Sequence, residues 1–204
     1  MTPIFRGAAI ALSTLALSAA AHALPQVGAE APAFSGTTTT GETVSLSDFE
    51  GQKVVLEWTN HDCPFVVKHY GSNNMQTLQE QLTGEDVVWL TVISSAPGKQ
   101  GHVSPEEADA LTESRGAAPT HVILDESGEI GRAYNAKTTP EMFLIMPDQT
   151  LAYMGAIDSI RSARQSDIPK ATNYLQAAYS EAKAGQPVTM AQTTPYGCSV
   201  KYDD

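Results

Sequence analysis

Residues 53–65 read KVVLEWTNHDCPF, an apolar run followed by a polar turn, a cysteine and a proline. The run 53–59 predicts a buried strand, because it is short and almost wholly apolar. The polar residues 60–62 predict a turn, and Pro64 suits the first position of a helix, where the N–H that proline lacks has no partner. Cys63 is therefore expected between the carboxyl end of a strand and the start of a helix. Open α/β sheets place their functional sites at this point.

The rest of the chain repeats this alternation of strand and helix patterns. Residues 34–51 combine a threonine run, Gly41 and alternating apolar residues, and they predict an amino-terminal β-hairpin. Similar signals predict strands at 87–94, 121–125, 142–146 and 151–155, and helices at 64–82, 104–115, 128–134 and 167–184. This order predicts one α/β domain, residues 24–185, with a mixed central sheet flanked by helices. Residues 186–204 are expected to form an extended carboxyl-terminal tail that carries Cys198.

Residues 1–23 have the composition of a signal peptide. Arg6 is the one charged residue, and the small and aliphatic run 7–21 is too short for a membrane span. Residues 21–23, Ala-His-Ala, match the small-x-small pattern of a cleavage site, so the mature chain is expected to begin at Leu24. We expect a periplasmic or secreted protein without membrane attachment after signal removal. An uncut amino-terminal membrane anchor is the alternative interpretation.

The charge and cysteine content restrict the partners. The formal net charge is −11 and the sequence has no basic cluster, which disfavours nucleic acid and anionic membranes as ligands. The expected partners are small molecules, or proteins that dock through a local patch. Two cysteines do not make a disulfide scaffold in a domain of this length. They suit one long-range bridge or a redox pair.

The predicted position of Cys63 favours chemical reactivity. A thiol becomes a nucleophile when its pKa is low enough for it to exist as the thiolate. A helix amino terminus offers unpaired N–H groups and a partial positive charge, and both stabilise an anion. The alternative interpretation is an inert buried thiol, which is a common state of free cysteine in proteins.

Four segments resemble one family. Residues 55–65 resemble the active-site segment of the redoxin and thioredoxin-like superfamily, and they are closest to a bacterial peroxiredoxin-like (AhpC/TSA-related) group. Residues 138–140, Thr-Thr-Pro, resemble the pair that supplies the family's cis-proline. Residues 195–202, PYGCSVKY, resemble the carboxyl-terminal ending of the same group, and residues 41–51 resemble its lead-in. The resemblance thus spans nearly all of the chain after residue 23, in the right order.

The resemblance implies a thioredoxin-like fold and an antioxidant thiol oxidoreductase that acts through Cys63. It implies a cis peptide bond before Pro140, with the backbone of Thr139 beside Cys63 and available to a substrate or partner. Cys198 would resolve oxidised Cys63 as a disulfide, although a permanent structural bridge and a free thiol are alternatives. The implied substrate is a small peroxide or a thiol/disulfide compound, with a reducing protein as partner. No cofactor and no metal are expected.

The sequence departs from the family at Asn60. Thioredoxins have a second cysteine three residues before the one that corresponds to Cys63. This sequence has Asn60 there, so a local dithiol is excluded. Typical peroxiredoxins have threonine or serine at the same place, together with an assisting arginine, for which Arg115 and Arg132 are the candidates. The departure supports an alternative function, a non-catalytic binding module for a protein or a soft metal ion with a structural Cys63–Cys198 disulfide. Glu57, a carboxylate in an apolar strand, is either a proton relay to Cys63 or a residue with a polar neighbour.

Overall fold

A mixed β-sheet forms the centre of the protein, and the computed structural model describes residues 24–203. In chain order the strands are β1 (Ser35–Thr38), β2 (Thr43–Ser45), β3 (Val54–Trp58), β4 (Val88–Ile93), β5 (His121–Leu124), β6 (Thr138–Thr139), β7 (Glu141–Ile145), β8 (Leu151–Gly155) and β9 (Cys198–Ser199). Seven strands lie in the order β2-β1-β5-β4-β3-β7-β8, while β6 and β9 form a separate two-stranded ladder. Strands β3, β4 and β5 are parallel, so their carboxyl ends meet at one edge of the sheet.

Five α-helices surround the sheet in the described part of the chain. They are α1 (Pro64–Gly71), α2 (Asn74–Thr83), α3 (Pro105–Ser114), α4 (Glu129–Ala133) and α5 (Tyr174–Lys183). Helices α1, α2 and α5 share one apolar cluster with the sheet, and α4 contributes to a second cluster. No helix within residues 24–203 is both long and apolar enough to cross a bilayer.

Alternation along β3 explains why the two clusters lie on opposite faces. Successive side chains of a strand point to opposite sides. Trp58 belongs to the α4 side, where its ring centroid is 5.1 Å from Phe143 and 5.4 Å from Tyr134. Val55 belongs to the α1 side, together with Cys63. The strand and turn predicted from residues 53–65 are therefore observed, with both faces of the strand buried.

The helix predicted over residues 64–82 is wrong in one respect, because it is interrupted. Helix α1 ends at Gly71, and Asn73 adopts a left-handed backbone with φ of +61° before α2 begins. Asparagine tolerates this conformation better than most residues. The hydroxyl of Ser72 donates to the carbonyl of Lys68 over 2.8 Å and so satisfies an orphan acceptor at the end of α1.

The last helix begins later than the predicted residue 167. Residues Gln165–Lys170 form a 3-10 helix that contains Pro169, and α5 starts only at Tyr174. The side chain of Asn173 accepts a hydrogen bond from the backbone N–H of Gln176 over 3.0 Å, so Asn173 is the N-cap. The sequence signal for this start was therefore Asn173 rather than the Asp-Ile-Pro motif.

The hairpin of β1 and β2, strands β4, β5, β7 and β8, and helix α3 lie where the sequence predicts them. The carboxyl-terminal tail is extended, but it is also paired to the domain through β9. The predicted signal peptide, residues 1–23, lies outside the described residues.

Candidate active site

Cys63 caps the amino terminus of α1, immediately after the turn that follows β3. Its backbone N–H donates to the carbonyl of Asn60 over 3.0 Å, and its own carbonyl accepts from Val67 over 2.9 Å. These bonds fix the cysteine between turn and helix. The side chain is completely buried, and its sulfur donates a hydrogen bond to the carbonyl oxygen of Thr139 over 3.0 Å.

The segment that contains Thr139 lies against Cys63. The Thr139–Pro140 peptide bond is cis, as the family resemblance implies. The buried carboxyl group of Glu141 accepts hydrogen bonds from the backbone N–H groups of Lys137 (2.8 Å) and Thr138 (3.0 Å). Burial raises the pKa of Glu141 above its ordinary value, although these two bonds oppose the shift. Glu141 therefore holds the backbone on the amino side of Pro140.

Cys198 reaches the same place from the tail. Strand β9 pairs antiparallel with β6, so that Cys198 lies opposite Thr139 and Ser199 lies opposite Thr138. Both cysteines are free thiols, and Cys198 packs against the apolar cluster that contains Cys63. The structure thus brings together the four residues singled out in the sequence. They are Cys63, Thr139, Pro140 and Cys198.

The pKa values of the two thiols are shifted in opposite directions. Burial by itself raises the pKa of Cys63, but hydrogen bonds from the Cys198 side chain and the Val66 backbone N–H outweigh burial, so the pKa is lowered. Burial raises the pKa of Cys198, and contact with Cys63 raises it further, to about 11. These opposite shifts favour the thiolate at Cys63 over the thiolate at Cys198.

A buried polar cluster next to α1 was not predicted from the sequence. Lys68 is completely covered, and its ammonium group is 2.7 Å from the carboxylate of Asp158. The hydroxyl of Tyr196, two residues before Cys198, donates to the same carboxylate. His69 lies 3.7 Å from Asp158, and burial, followed by the charge of Lys68, lowers the pKa of His69 to about 4. A lysine in a helix that is otherwise mostly apolar was the available signal. Nothing near Asp158 marks it in the sequence.

Glu57 is engaged by four side chains. Its carboxyl group accepts hydrogen bonds from Tyr70 (2.8 Å), Trp89 (3.0 Å), Gln79 (3.1 Å) and Thr91 (3.3 Å). Burial raises the pKa of Glu57 above its ordinary value, against the opposing effect of these bonds. The donors come from α1, α2 and β4, so the carboxyl group connects both helices to the sheet. This arrangement favours the structural interpretation of Glu57 over the proton relay.

Of the two candidate arginines, Arg115 is the one near the turn before Cys63. Its guanidinium group stacks on the ring of Tyr70 at 4.8 Å and donates to the carbonyl of His61 over 3.3 Å. It lines a cavity of about 30 Å³ together with Asn60 and Thr59, whose buried hydroxyl has no hydrogen-bond partner. The volume suits about one water molecule. Arg132 instead stacks on Tyr202 at the end of the tail.

Within residues 24–203, no group of three or more histidine, cysteine, aspartate and glutamate side chains is placed to hold a metal ion.

The site and the sheet together define a class of protein. A cysteine at the start of a helix, facing a cis-proline segment across the edge of a mixed sheet, belongs to the thioredoxin fold. The AhpC/TSA family matches residues 27–154, which is more than half of the chain, and the chain belongs to this family. Family and fold support a thiol oxidoreductase in general. The matched region contains Cys63 and Pro140 but ends before α5, so the family match does not extend to Cys198.

Solved structures agree with this fold. An uncharacterized conserved protein from Geobacillus kaustophilus is 25% identical, with a TM-score of 0.73 and coverage of 87% of this chain and 93% of that chain. A hypothetical protein from Sinorhizobium meliloti is 22% identical, with a TM-score of 0.71 and coverage of 87% and 95%. The exposed lipoprotein thioredoxin Etrx1 from Streptococcus pneumoniae is 22% identical, with a TM-score of 0.51 and coverage of 72% and 98%. Comparison with curated protein sequences gave no match.

Proposed function

We propose that this protein is an exported thiol oxidoreductase in which Cys63 and Cys198 form a reversible disulfide. One observation carries the proposal. Two free thiols with oppositely shifted pKa values both lie against Thr139, beside the cis peptide bond to Pro140 and the amino terminus of a helix. A permanent bridge would need no lowered thiol pKa, whereas a nucleophilic cysteine does.

With a peroxide as substrate, the Cys63 thiolate attacks one peroxide oxygen and the O–O bond breaks. The leaving oxygen takes a proton and departs as alcohol or water, and Cys63 becomes a sulfenic acid. The sulfur of Cys198 then attacks the sulfur of Cys63, and the hydroxyl group leaves as water with the proton of Cys198. The protein has lost two electrons and the peroxide has gained them. A reducing dithiol partner restores both thiols by exchange.

With a disulfide as substrate, the Cys63 thiolate attacks one sulfur and the other sulfur leaves as a thiolate. Cys198 then attacks the mixed disulfide and releases the second substrate thiol, so that the same Cys63–Cys198 bond forms. Asn60 prevents a vicinal dithiol, so the second thiol of either route has to come from the tail. Both routes require the same contact between the two sulfurs.

An extracytoplasmic location supports this chemistry. The signal-peptide pattern of residues 1–23 favours export, and one structural relative is described as an exposed lipoprotein thioredoxin. Disulfides persist in such oxidising compartments and are rare in the cytosol.

Replacing Cys198 with serine tests the resolving step. The wild type, treated with one equivalent of hydrogen peroxide, is expected to lose both free thiols and to give no product with a sulfenic-acid trap such as dimedone. Cys198→Ser is expected to lose its one thiol and to be labelled by dimedone at Cys63, because no second sulfur is present to condense. Peptide mass mapping before and after dithiothreitol gives the product in each case.

The outcomes separate the alternatives. A wild type that reacts with hydrogen peroxide no faster than free cysteine would exclude the peroxide route, and the disulfide route would then be tested with a low-molecular-weight disulfide. A Cys63–Cys198 bond that is present on isolation and resists dithiothreitol would contradict the proposal. That result would support the binding module with a structural disulfide.

A further inference from the structure

The carboxyl-terminal strap, defined as residues 191–203, crosses the carboxyl edge of the central sheet and covers Cys63. It first pairs with the edge of β8, where Met154 donates to Ala191 over 3.0 Å and accepts from Thr193 over 3.1 Å. It then pairs with β6 through β9. The strap therefore supplies the antiparallel neighbour that the Thr138–Thr139 edge would otherwise offer to another chain.

The strap is anchored on the amino side of Cys198 by Tyr196. Its hydroxyl donates to Asp158 inside the buried cluster with Lys68, whose ammonium group is 3.3 Å from the same hydroxyl. The ring of Tyr196 packs edge-on against Phe65, which lies two residues after Cys63. This anchor fixes the strap directly before the cysteine.

A second anchor lies on the carboxyl side. Tyr202 donates to the carbonyl of Ala136 over 2.8 Å, and its ring lies under the guanidinium group of Arg132 at 4.8 Å. The backbone between the anchors is also held, because Val200 donates to Lys137 over 3.0 Å and Lys201 accepts from Ala96 over 2.9 Å. Cys198 thus lies on a segment that is fixed at both ends.

Gly197 allows the closest approach between the strap and the cis-proline segment. A Cβ atom at this position would lie 1.9 Å from the carbonyl oxygen of Thr139, and the backbone φ is +148°. No side chain fits there without moving the strap, because the obstacle is backbone rather than a flexible side chain. The backbone of the strap at Gly197 therefore lies in direct contact with the backbone of Thr139.

We propose that the strap fills the Thr138–Thr139 edge beside Cys63, where an extended polypeptide would otherwise pair. The external substrates are then small oxidants rather than extended polypeptide disulfides. The inference rests on the proposed function and deepens it by assigning the substrate class. A polypeptide needs the Thr138–Thr139 edge, which β9 fills in every molecule that has the strap in place. A covalently tethered strand also competes at an effective concentration of about millimolar, far above that of a dilute external peptide.

Small oxidants face a much smaller obstacle. Cys198 is partly exposed and packs against the apolar cluster that contains the buried Cys63. A small peroxide or disulfide approaches Cys63 by displacing this side chain, while the backbone pairing of β6 with β9 stays intact. An extended polypeptide needs the pairing itself to be broken.

The test compares two disulfides that release the same chromogenic aromatic thiolate. One is the symmetrical small aromatic disulfide, and the other carries that thiolate on the single cysteine of a short, extended peptide. The reduced wild type is expected to react with the peptide disulfide at least about tenfold more slowly than with the small one. In Gly197→Ala, the added methyl group displaces the strap, and the rate with the peptide disulfide is expected to rise at least about tenfold.

Gly185→Ala is the matched control. It has the same substitution at a position of positive φ, +69°, but with open space around the added carbon and away from the strap. Its two rates should match those of the wild type. If Gly197→Ala does not fold, as judged by circular dichroism, Tyr202→Ala loosens the second anchor and should raise the rate with the peptide disulfide in the same direction.

Three results would overturn one claim or the other. A wild type that reacts equally fast with both disulfides would overturn the occupant role of the strap and leave the proposed function intact. A wild type and a folded strap variant that react with neither disulfide, nor with hydrogen peroxide, would contradict the proposed function itself. A folded strap variant that reacts with the small disulfide but not with the peptide would also overturn the inference.

Discussion

Replacing Cys63 with serine is expected to lower the rate of reaction with peroxides and small disulfides at least about a hundredfold. A hydroxyl group is a far weaker nucleophile than a thiolate. Cys198 does not substitute for it, because burial, which Cys63→Ser does not remove, raises the pKa of the Cys198 thiol and disfavours its thiolate. The measurement is the second-order rate constant for loss of thiols after stopped-flow mixing with the oxidant.

The pH dependence of the wild-type rate checks the same point. The pKa of Cys63 is lowered, so the thiolate fraction and the rate should rise with pH and level off below about pH 8.5, the ordinary thiol pKa. Cys198→Ser is the matched control, because it keeps the attacking thiol and should retain the first step. The assignment of Cys63 is wrong if Cys63→Ser keeps a rate within a few-fold of the wild type.

Replacing Glu57 with alanine is expected to lower the free energy of unfolding by about 3–5 kcal/mol. The substitution leaves the buried donors of Tyr70 and Trp89 without an acceptor and opens a cavity between two helices and the sheet. Glu57→Gln should cost less, about 1–3 kcal/mol, because one acceptor oxygen and most of the volume remain. Chemical denaturation followed by circular dichroism gives both values.

The raised pKa of Glu57 also predicts how the stability difference between the wild type and Glu57→Gln changes with pH. Burial raises its pKa in the folded state, so its contribution to stability is complete below the unfolded pKa of about 4.3 and is lost as pH rises through the folded pKa. The advantage of the wild type over Glu57→Gln should therefore shrink as pH rises. If Glu57 were a proton relay, Glu57→Gln would also shift the pH profile of Cys63 oxidation. On the structural interpretation, that profile stays unchanged.

Local sequence signals predicted most of the fold. The apolar run of β3 and the proline after Cys63 each act within one element, and β3 and the start of α1 lie where expected. The errors fell where local signals compete. Asn73 interrupts a helical pattern that continues on both sides, and Asn173 rather than Asp167 starts α5.

The contacts that complete the site could not be predicted in the same way. Lys68 and Asp158 are 90 residues apart, and their pairing follows only from the folded topology. The position of the strap depends on the close contact of Gly197 with the carbonyl of Thr139, which lies 58 residues earlier in the sequence. The resemblance of residues 138–140 and 195–202 to one family singled out the two segments. It did not establish that they pair with one another.

The most direct test of the redox couple is its reduction potential, measured by equilibrating the full chain with mixtures of reduced and oxidised dithiothreitol. Trapping the thiols with an alkylating agent, followed by peptide mapping, identifies the bond. Stabilisation of the reduced Cys63 thiolate raises the potential, so we predict one reversible two-electron transition of a Cys63–Cys198 disulfide, with a midpoint above about −300 mV. A midpoint below that value, as in structural disulfides, or an oxidised product without this bond, would contradict the redox role.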